Sequence, residues 1–351
     1  MGLLVIHTMK IVIPGGHGQI GGFLARGLQG AGHEVVVLSR SPVRENLRER
    51  VGPGGPPTSR SAGLRRAIHD SGRVVNWDGE SLGEWVKEID GADVVINLAG
   101  RSVNCRFTPE HRREVMESRT KSTRVVGEAI ARAARPPRAW LQASTATIYA
   151  HRYDAANDEA TGILDTAGPE WPDTWRFSTR VAQEWEKAVN EAATPRTRKV
   201  ILRTSIVMAP GAGGAFDVML KLVRFGLGGK NGDGRQYVSW MHDEDFLRAI
   251  FWLIEHEELA GPVNLASPNP VPNAEFMRGL REAWGAKVGL PAAKWMIEIG
   301  TRLMQTESEL VLKSRRVVPG KLLAAGFAFK FPTWPEAARD LCRRWKEEQG
   351  R

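Results

Sequence analysis

The chain has 351 residues, of which 42% are apolar and 25% charged, a globular balance that excludes disorder of the whole chain. Its 49 Lys and Arg against 40 Asp and Glu leave a net charge of +9, a balance that can mean nucleic acid, but apart from a cluster between Arg40 and Arg73 the basic residues are spread among acids, and a solvated surface that also favours phosphorylated small molecules is the better reading. No run reaches the roughly 18 apolar residues of a membrane span, and two cysteines, Cys105 and Cys342, make neither a disulfide framework nor a thiolate metal site, so a cytoplasmic chain with no metal, membrane or nucleic-acid partner is expected.

Met9-Lys10 opens the first strand, expected over 10–14, and a helix over 19–29 follows, with Gly32 just past its end. The second strand, 34–39, contains the continuous Val35-Val36-Val37-Leu38 of a strand buried on both faces. A Pro/Gly-rich loop occupies 52–63. Strands three, four and five are expected at 73–77, 93–98 and 139–144. Between them lie a short helix at 82–89 and a long one opened by Thr108-Pro109, an N-cap followed by proline at the first helical position. A helix over 174–192 and a sixth strand over 199–208 continue the alternation, which predicts an α/β fold: a Rossmann-type doubly wound parallel sheet. After a glycine-rich loop at 226–234 come a helix at 243–257, a short strand at 263–266 and a series of short helices ending in one over 335–348. The expected division is a dinucleotide-binding domain over 1–265 and a small, mainly helical C-terminal lobe over 266–351 that contributes to the substrate cleft.

The first strand runs into Pro14-Gly15-Gly16-His17-Gly18-Gln19-Ile20-Gly21 and then into a helix. Glycines at this spacing permit positive φ and a close backbone approach, while the helix N-terminus offers N–H groups to a pyrophosphate. Gly15, Gly18, Gln19, Ile20 and Gly21 are therefore the expected phosphate cradle. The second strand ends in Ser39-Arg40, with no acid until Glu45. A carboxylate there would repel a 2′-phosphate, whereas a hydroxyl and a guanidinium would bind it, so NADP(H) is expected over NAD(H). The competing reading leaves Arg40 pointing to solvent.

The loop, Ser39-Arg40 and Asn97-Leu98-Ala99-Gly100 together resemble an extended or atypical short-chain dehydrogenase/reductase. Trp77-Asp78, Ser118-Arg119, Trp185-Glu186, Gly226-Leu227-Gly228-Gly229, Trp240-Met241-His242, Asn273-Ala274-Glu275-Phe276 and Gly326-Phe327 narrow the resemblance to its epimerase-family branch. That branch is NAD-dependent epimerase/dehydratase-like and carries a small C-terminal domain of unknown function. The resemblance spans the chain from Lys10 to about Leu341. It implies that Ser39 and Arg40 contact the adenosine end, that Leu98, Ala99 and Gly100 line the cofactor cleft, and that Glu114, Arg119 and Val207 lie near NADP. It also carries an expectation of a homodimer. His17 and Gln19 stand where the family has small and aromatic residues.

A standard member of that superfamily needs a serine and a Tyr-x-x-x-Lys pair, in which the tyrosine moves the proton and the lysine lowers its pKa. The three tyrosines here are Tyr149, Tyr153 and Tyr237, and none is followed by lysine four residues on. By the family's Trp-Glu register, Phe177 and Val181 occupy the tyrosine and lysine positions. Ser144 matches the catalytic serine, and Tyr149 follows it by five residues, where it can turn back over the cleft; a polar strand end is the competing reading of Ser144. Arg180, His151, Glu159 and His242 are further candidates, although His242 and Asp245 also suit capping and anchoring of the helix that begins near Asp243. Arg235, Gln236 and Trp240 are candidates for an anionic substrate, against a solvated hairpin and a packing tryptophan. Two functional readings follow: an NADP(H)-dependent oxidoreductase or epimerase-like enzyme of unidentified small-molecule substrate with a non-standard proton donor, or a catalytically silent NADPH-binding sensor or scaffold.

Overall fold

The computed structural model describes residues 8–40, 72–211, 213–303 and 307–350. Glu45 and the loop expected at 52–63 lie outside them. Two compact units share the chain: Met1–Arg101, Glu117–Ala143 and Lys187–Val200 form the first, and Ser102–Met116, Ser144–Glu186 and Ile201–Arg351 the second.

The first unit opens with β1 (Lys10–Pro14), α1 (Gln19–Gly30) and β2 (Glu34–Ser39), followed by β3 (Arg73–Asn76), α2 (Val86–Ile89) and β4 (Val94–Asn97). β1 pairs in parallel with β2 and with β4, Ile11 lying level with both Val35 and Val94. These strands are β-branched along their length because both faces are covered: Ile11, Val12, Ile13, Val36, Val37, Val94 and Val95 expose nothing. α1 buries Gly21, Leu24, Ala25 and Leu28, the three-and-four spacing of one helical face, and each leucine so buried contributes roughly 1.5–3 kcal/mol.

Next come α3 (Pro109–Arg132), β5 (Ala139–Thr145), α4 (Asp173–Glu191) and β6 (Arg198–Thr204). The main sheet has seven strands in the order β10-β6-β5-β4-β1-β2-β3, where β10 is Gly261–Leu265. This is the doubly wound parallel architecture expected from the alternation of elements.

The single sixth strand expected over 199–208 is in fact two. β6 stops at Thr204, and β7 (Ile206–Met208) leaves the main sheet to pair with β9 (Trp240–His242). Ser205 is the pivot: its N–H donates to Leu265 O (3.0 Å), and the next N–H, of Ile206, donates to Ser239 O (3.3 Å). Two apolar stretches, Val200-Ile201-Leu202 and Ile206-Val207-Met208, flank the change of partner and read as one strand. A second small pairing, β8 (Tyr237–Val238) with β11 (Val271–Pro272), was also not expected.

The rest of the second unit is helical: α5 (Ala215–Arg224), α6 (Asp243–Glu255), α7 (Asn273–Trp284), α8 (Lys294–Leu303), α9 (Glu309–Leu312), α10 (Gly320–Ala324) and α11 (Trp334–Glu348). One of its cores joins α5, α7 and α11, with Phe276 stacked on Trp334 at 3.8 Å and Trp240 edge-on to Trp334 at 5.1 Å. Among the described residues no helix is long and apolar enough to cross a membrane.

Candidate functional site

Most of the cofactor candidates fall in the first unit. Gly15 has φ +78, and a Cβ there would sit 2.7 Å from Ala99 Cα and N, so the loop lies directly against the Leu98-Ala99 backbone. A Cβ at Gly21 would stand 2.5 Å from Gly16 Cα, which fixes how closely α1 approaches the loop. Gly18 is different: a Cβ would meet only Gly15 O, at 3.7 Å, so the space beside it is open. Gly18 is also the N-cap of α1, no side chain caps it, and no carboxylate sits in the first turn that contains Gln19 and Ile20. An open glycine face at an uncapped, acid-free helix N-terminus is the donor set a pyrophosphate requires.

The β2 tip adds the second half of the fit. Ser39 is buried and its Oγ lies 2.7 Å from His17 Nδ1, while Arg40 is exposed. Burial lowers the His17 pKa, which keeps that ring neutral beside Ser39. His17 was noted in the sequence as a departure from the family loop; its bond to Ser39, 22 residues on, could not be read there. Asn97 shapes the β4 end, its Oδ1 accepting from Ala99 N–H (3.1 Å) and its Nδ2 donating to Gln142 (2.9 Å). Arg119 lies under Gly100. Glu114 and Val207, the remaining cofactor candidates, are half-buried in the second unit, Val207 beside Met241 in the β7–β9 pair.

The candidate catalytic residues belong to the second unit, and Ser144 and Tyr149 share one buried network. Ser144 Oγ donates to Glu186 Oε1 at 2.7 Å. Arg203 grips the same carboxylate with two bonds, 2.9 and 2.8 Å, and donates a third to the Tyr149 hydroxyl at 2.9 Å. That hydroxyl in turn donates to Asn264 Oδ1 at 2.9 Å. Burial raises the Tyr149 pKa, with Arg203 opposing. The protons of Ser144 and Tyr149 are thus directed at protein acceptors.

Strand alternation sends the next side chain, Thr145, to the other face. Its Oγ1 donates to Thr147 Oγ1 (3.1 Å), which also accepts from Arg315 Nε (3.3 Å). Lys313, fully buried, donates to Asp165 Oδ2 (3.0 Å), Thr179 Oγ1 (3.2 Å) and Thr147 O (3.3 Å). Arg315 binds Glu309 at 3.0 Å, and Ser178 also donates to Glu309. Burial lowers the pKa of both cations. Thr145, Lys313 and Arg315 were missed in the sequence; alternation beside Ser144 was the signal for the first, and the closeness of Lys313, Arg315, Arg316 and Lys321 in the chain was the only hint of the others.

Phe177 and Val181, at the tyrosine and lysine positions, are buried with Phe107 and Val115, the Phe107 and Phe177 rings meeting edge-on at 4.9 Å. Arg180 beside them is exposed. Glu159 accepts the backbone N–H groups of Asn264 (2.7 Å) and Lys321 (3.2 Å), and burial raises its pKa.

Of the substrate candidates, Arg235 is exposed, its guanidinium 5.8 Å from the Tyr153 ring centroid. Gln236 is buried and donates to Asn231 O (2.9 Å) and Val311 O (3.2 Å), which makes it a loop tie. Trp240 exposes nothing and packs in the core against Trp334, so it offers no surface to a ligand. His242 caps α6 as expected, its Nδ1 accepting from Glu244 N–H (3.1 Å). Asp245 anchors Lys330 N–H (2.7 Å) and Phe331 N–H (2.9 Å) instead of the cap.

Comparison with known proteins identifies the family and the fold. The profile of the NAD dependent epimerase/dehydratase family matches residues 11–266, and that of a domain of unknown function (DUF1731) matches 292–341. The human epimerase family protein SDR39U1 is 27% identical over 336 residues, covering 95% of this chain and 99% of the human one. A crystal structure of human SDR39U1 (isoform 2) with NADPH superposes with a TM-score of 0.77 at 26% identity, covering 95% of this chain and 99% of that one. MoeE5 in complex with UDP-glucuronic acid and NAD, 17% identical with a TM-score of 0.68 and covering 97% and 99% of the two chains, shares the fold.

Proposed function

The chain belongs to the NAD dependent epimerase/dehydratase family, and on that premise we propose that it is an NADP(H)-dependent oxidoreductase or epimerase-like enzyme acting on a small molecule, with a proton path other than Tyr-x-x-x-Lys. The observation that carries the cofactor choice is the β2 tip, where Ser39, bonded to His17, and Arg40 stand in place of a carboxylate. The likeness to a relative crystallised with NADPH supports it. Gly15, Gly18 and Gly21 and the first turn of α1 would hold the pyrophosphate, Ser39 and Arg40 the 2′-phosphate, and Leu98, Ala99 and Gly100 the cleft wall. When bound, the nicotinamide supplies or takes a hydride.

What this chain must then supply is orientation and a hydrogen bond to the reacting oxygen. Thr145 is the β5 hydroxyl that suits this task once its proton turns from Thr147 to the substrate: its acceptor is another rotatable hydroxyl, itself held by Arg315, where Ser144 and Tyr149 are committed to a carboxylate and an amide oxygen. Ser144 and Tyr149 act as positioning residues that hold the β5 end to Glu186, Arg203 and Asn264. A second reading, a cofactor-binding sensor without turnover, is favoured by the apolar packing of Phe177 and Val181.

Calorimetry with NADPH and NADH tests the cofactor, and NADPH oxidation by metabolite-extract fractions tests the enzyme. Preferential NADPH binding with oxidation lost in Thr145→Val supports the proposal. Binding without turnover by any fraction selects the sensor, and absence of NADPH binding ends both readings.

A further inference from the structure

Four of the chain's 12 tryptophans, Trp85, Trp140, Trp240 and Trp334, are among its largest fully buried side chains. Trp171 and Trp175 are used differently. They stand only half-buried, stacked on each other with centroids 5.7 Å apart and planes 18° apart. The His151 ring sits edge-on to both, at 5.2 and 5.1 Å, and to Tyr153 at 5.1 Å. Tyr153 is 41% exposed, and Arg235 reaches over its ring at 5.8 Å. Three aromatic rings and a guanidinium gathered at the surface around one imidazole bury less than a core cluster would and leave π faces available to a ligand.

The imidazole is oriented. Ser314 N–H donates to His151 Nδ1 at 2.6 Å, so the neutral ring carries its proton on Nε2. Among the described residues Nε2 has no hydrogen-bond partner, and His151 is half-buried. Burial and the nearby Lys313 and Arg315 charges oppose protonation, with Asp165 the weaker counterweight, so the ring stays a neutral, fixed donor.

We propose that His151, Trp171, Trp175, Tyr153 and Arg235 form a binding site for a planar conjugated ring that carries an anionic group and a carbonyl or hydroxyl oxygen. The indoles and the phenol supply stacking surface. His151 Nε2–H donates to the ring oxygen, and Arg235 pairs with the anion. The inference deepens the proposed function by naming its substrate class, and its test is separate because it needs no nicotinamide.

The probe is coumarin-3-carboxylate, which is planar, carbonyl-bearing and anionic. Its binding to the full chain is followed by calorimetry and by quenching of tryptophan fluorescence. Cyclohexanecarboxylate and neutral coumarin are the controls. Affinity is expected to fall about tenfold in Trp171→Ala, in Trp175→Ala and in His151→Phe, which keeps a ring but removes the donor. Arg235→Gln is expected to weaken the carboxylate probe and leave neutral coumarin unchanged. NADPH titration of the same variants reports that each is folded, and Arg40→Asp is expected to lose NADPH while binding the probe as the wild type does. Equal binding of cyclohexanecarboxylate, or wild-type probe affinity in the tryptophan variants, overturns the site. Loss of the probe in Arg40→Asp alone would place it in the dinucleotide cleft and overturn the site as well.

Discussion

A side chain at Gly15 would run into Ala99, because a Cβ there would lie 2.7 Å from that residue's Cα and N. The loop after β1 and the strand end after β4 are therefore one surface. Gly15→Ala should lose about 2–4 kcal/mol of stability, from a left-handed φ of +78 imposed on alanine together with overpacking against backbone. Gly18→Ala should behave differently, since its Cβ meets nothing nearer than 3.7 Å. It should melt like the wild type and bind NADPH at least tenfold more weakly, its methyl intruding where the pyrophosphate approaches. Denaturant unfolding and calorimetry separate the two effects, and normal NADPH affinity in Gly18→Ala would remove the cradle.

Arg40→Asp tests the cofactor choice. Charge-assisted hydrogen bonds are worth about 1.5–3 kcal/mol, so NADPH affinity should fall roughly 10–100-fold while NADH affinity stays within a few-fold. Ser39 keeps its bond to His17 in this variant, which confines the change to the guanidinium. Equal wild-type affinity for the two nucleotides would refute the assignment before any variant is made.

Glu186 and Arg203 form a buried bidentate pair that also holds Ser144 and Tyr149. Removing one partner leaves the other charged and desolvated, so Arg203→Met alone should destabilise by about 3–5 kcal/mol. Glu186→Leu with Arg203→Met removes both charges and should recover a large part of that loss, although Ser144 and Tyr149 each lose a partner. A double-mutant cycle by denaturant unfolding measures the coupling, and additive single effects would show that the pair is not coupled.

His242 gives the fold a pH dependence with a defined sign. It is fully buried, stacks on Phe331 at 3.9 Å and caps α6 through an unprotonated Nδ1. Burial lowers its pKa below the ordinary 6.5. The unfolded chain therefore takes up the proton first as pH falls, and stability declines from about pH 6.5 downward by up to ~1.4 kcal/mol per pH unit until the folded-state value is reached. Asp340, 3.1 Å from His242 Nε2, is shifted downward, and what it contributes is lost only below the ordinary carboxylate range. Denaturant midpoints between pH 8 and 5 should show this slope, and His242→Gln should flatten it.

How much of this was legible before the structure follows from what each residue's partner is. Strands β1, β2 and β4 were read correctly because parallel-sheet burial writes a continuous β-branched run into the chain, and the turn from Gly15 to Gly21 was readable because the positive φ of Gly15 and the approach of Gly21 to Gly16 are local, whereas the contact of Gly15 with Ala99 is not. The break at Ser205 was invisible because both halves of the strand stay apolar while the partner changes from β10 to β9. Trp240 read equally well as pocket wall or core, since a tryptophan's role is set by what Trp334, 94 residues away, does with it. The Lys313 and Arg315 cluster could not be inferred because its partners Asp165, Thr179 and Thr147 lie 134 to 168 residues earlier in the chain.

Restoring the missing pair is the sharpest test of the claim that the proton path has moved. Val181 is buried in an apolar cluster with Phe107, Val115 and Phe177. Val181→Lys should therefore lose several kcal/mol unless the lysine enters uncharged, since an unpaired buried charge is among the most destabilising changes. Phe177→Tyr is milder: it adds a hydroxyl to a ring that already meets Phe107 edge-on at 4.9 Å, and Arg112 lies 5.0 Å over the same ring. The double variant should melt well below the wild type and oxidise NADPH no faster with any extract fraction. If it kept wild-type stability and gained turnover, the helix would still be an active-site face lacking only two side chains, and the assignment of the hydrogen bond to Thr145 would fall.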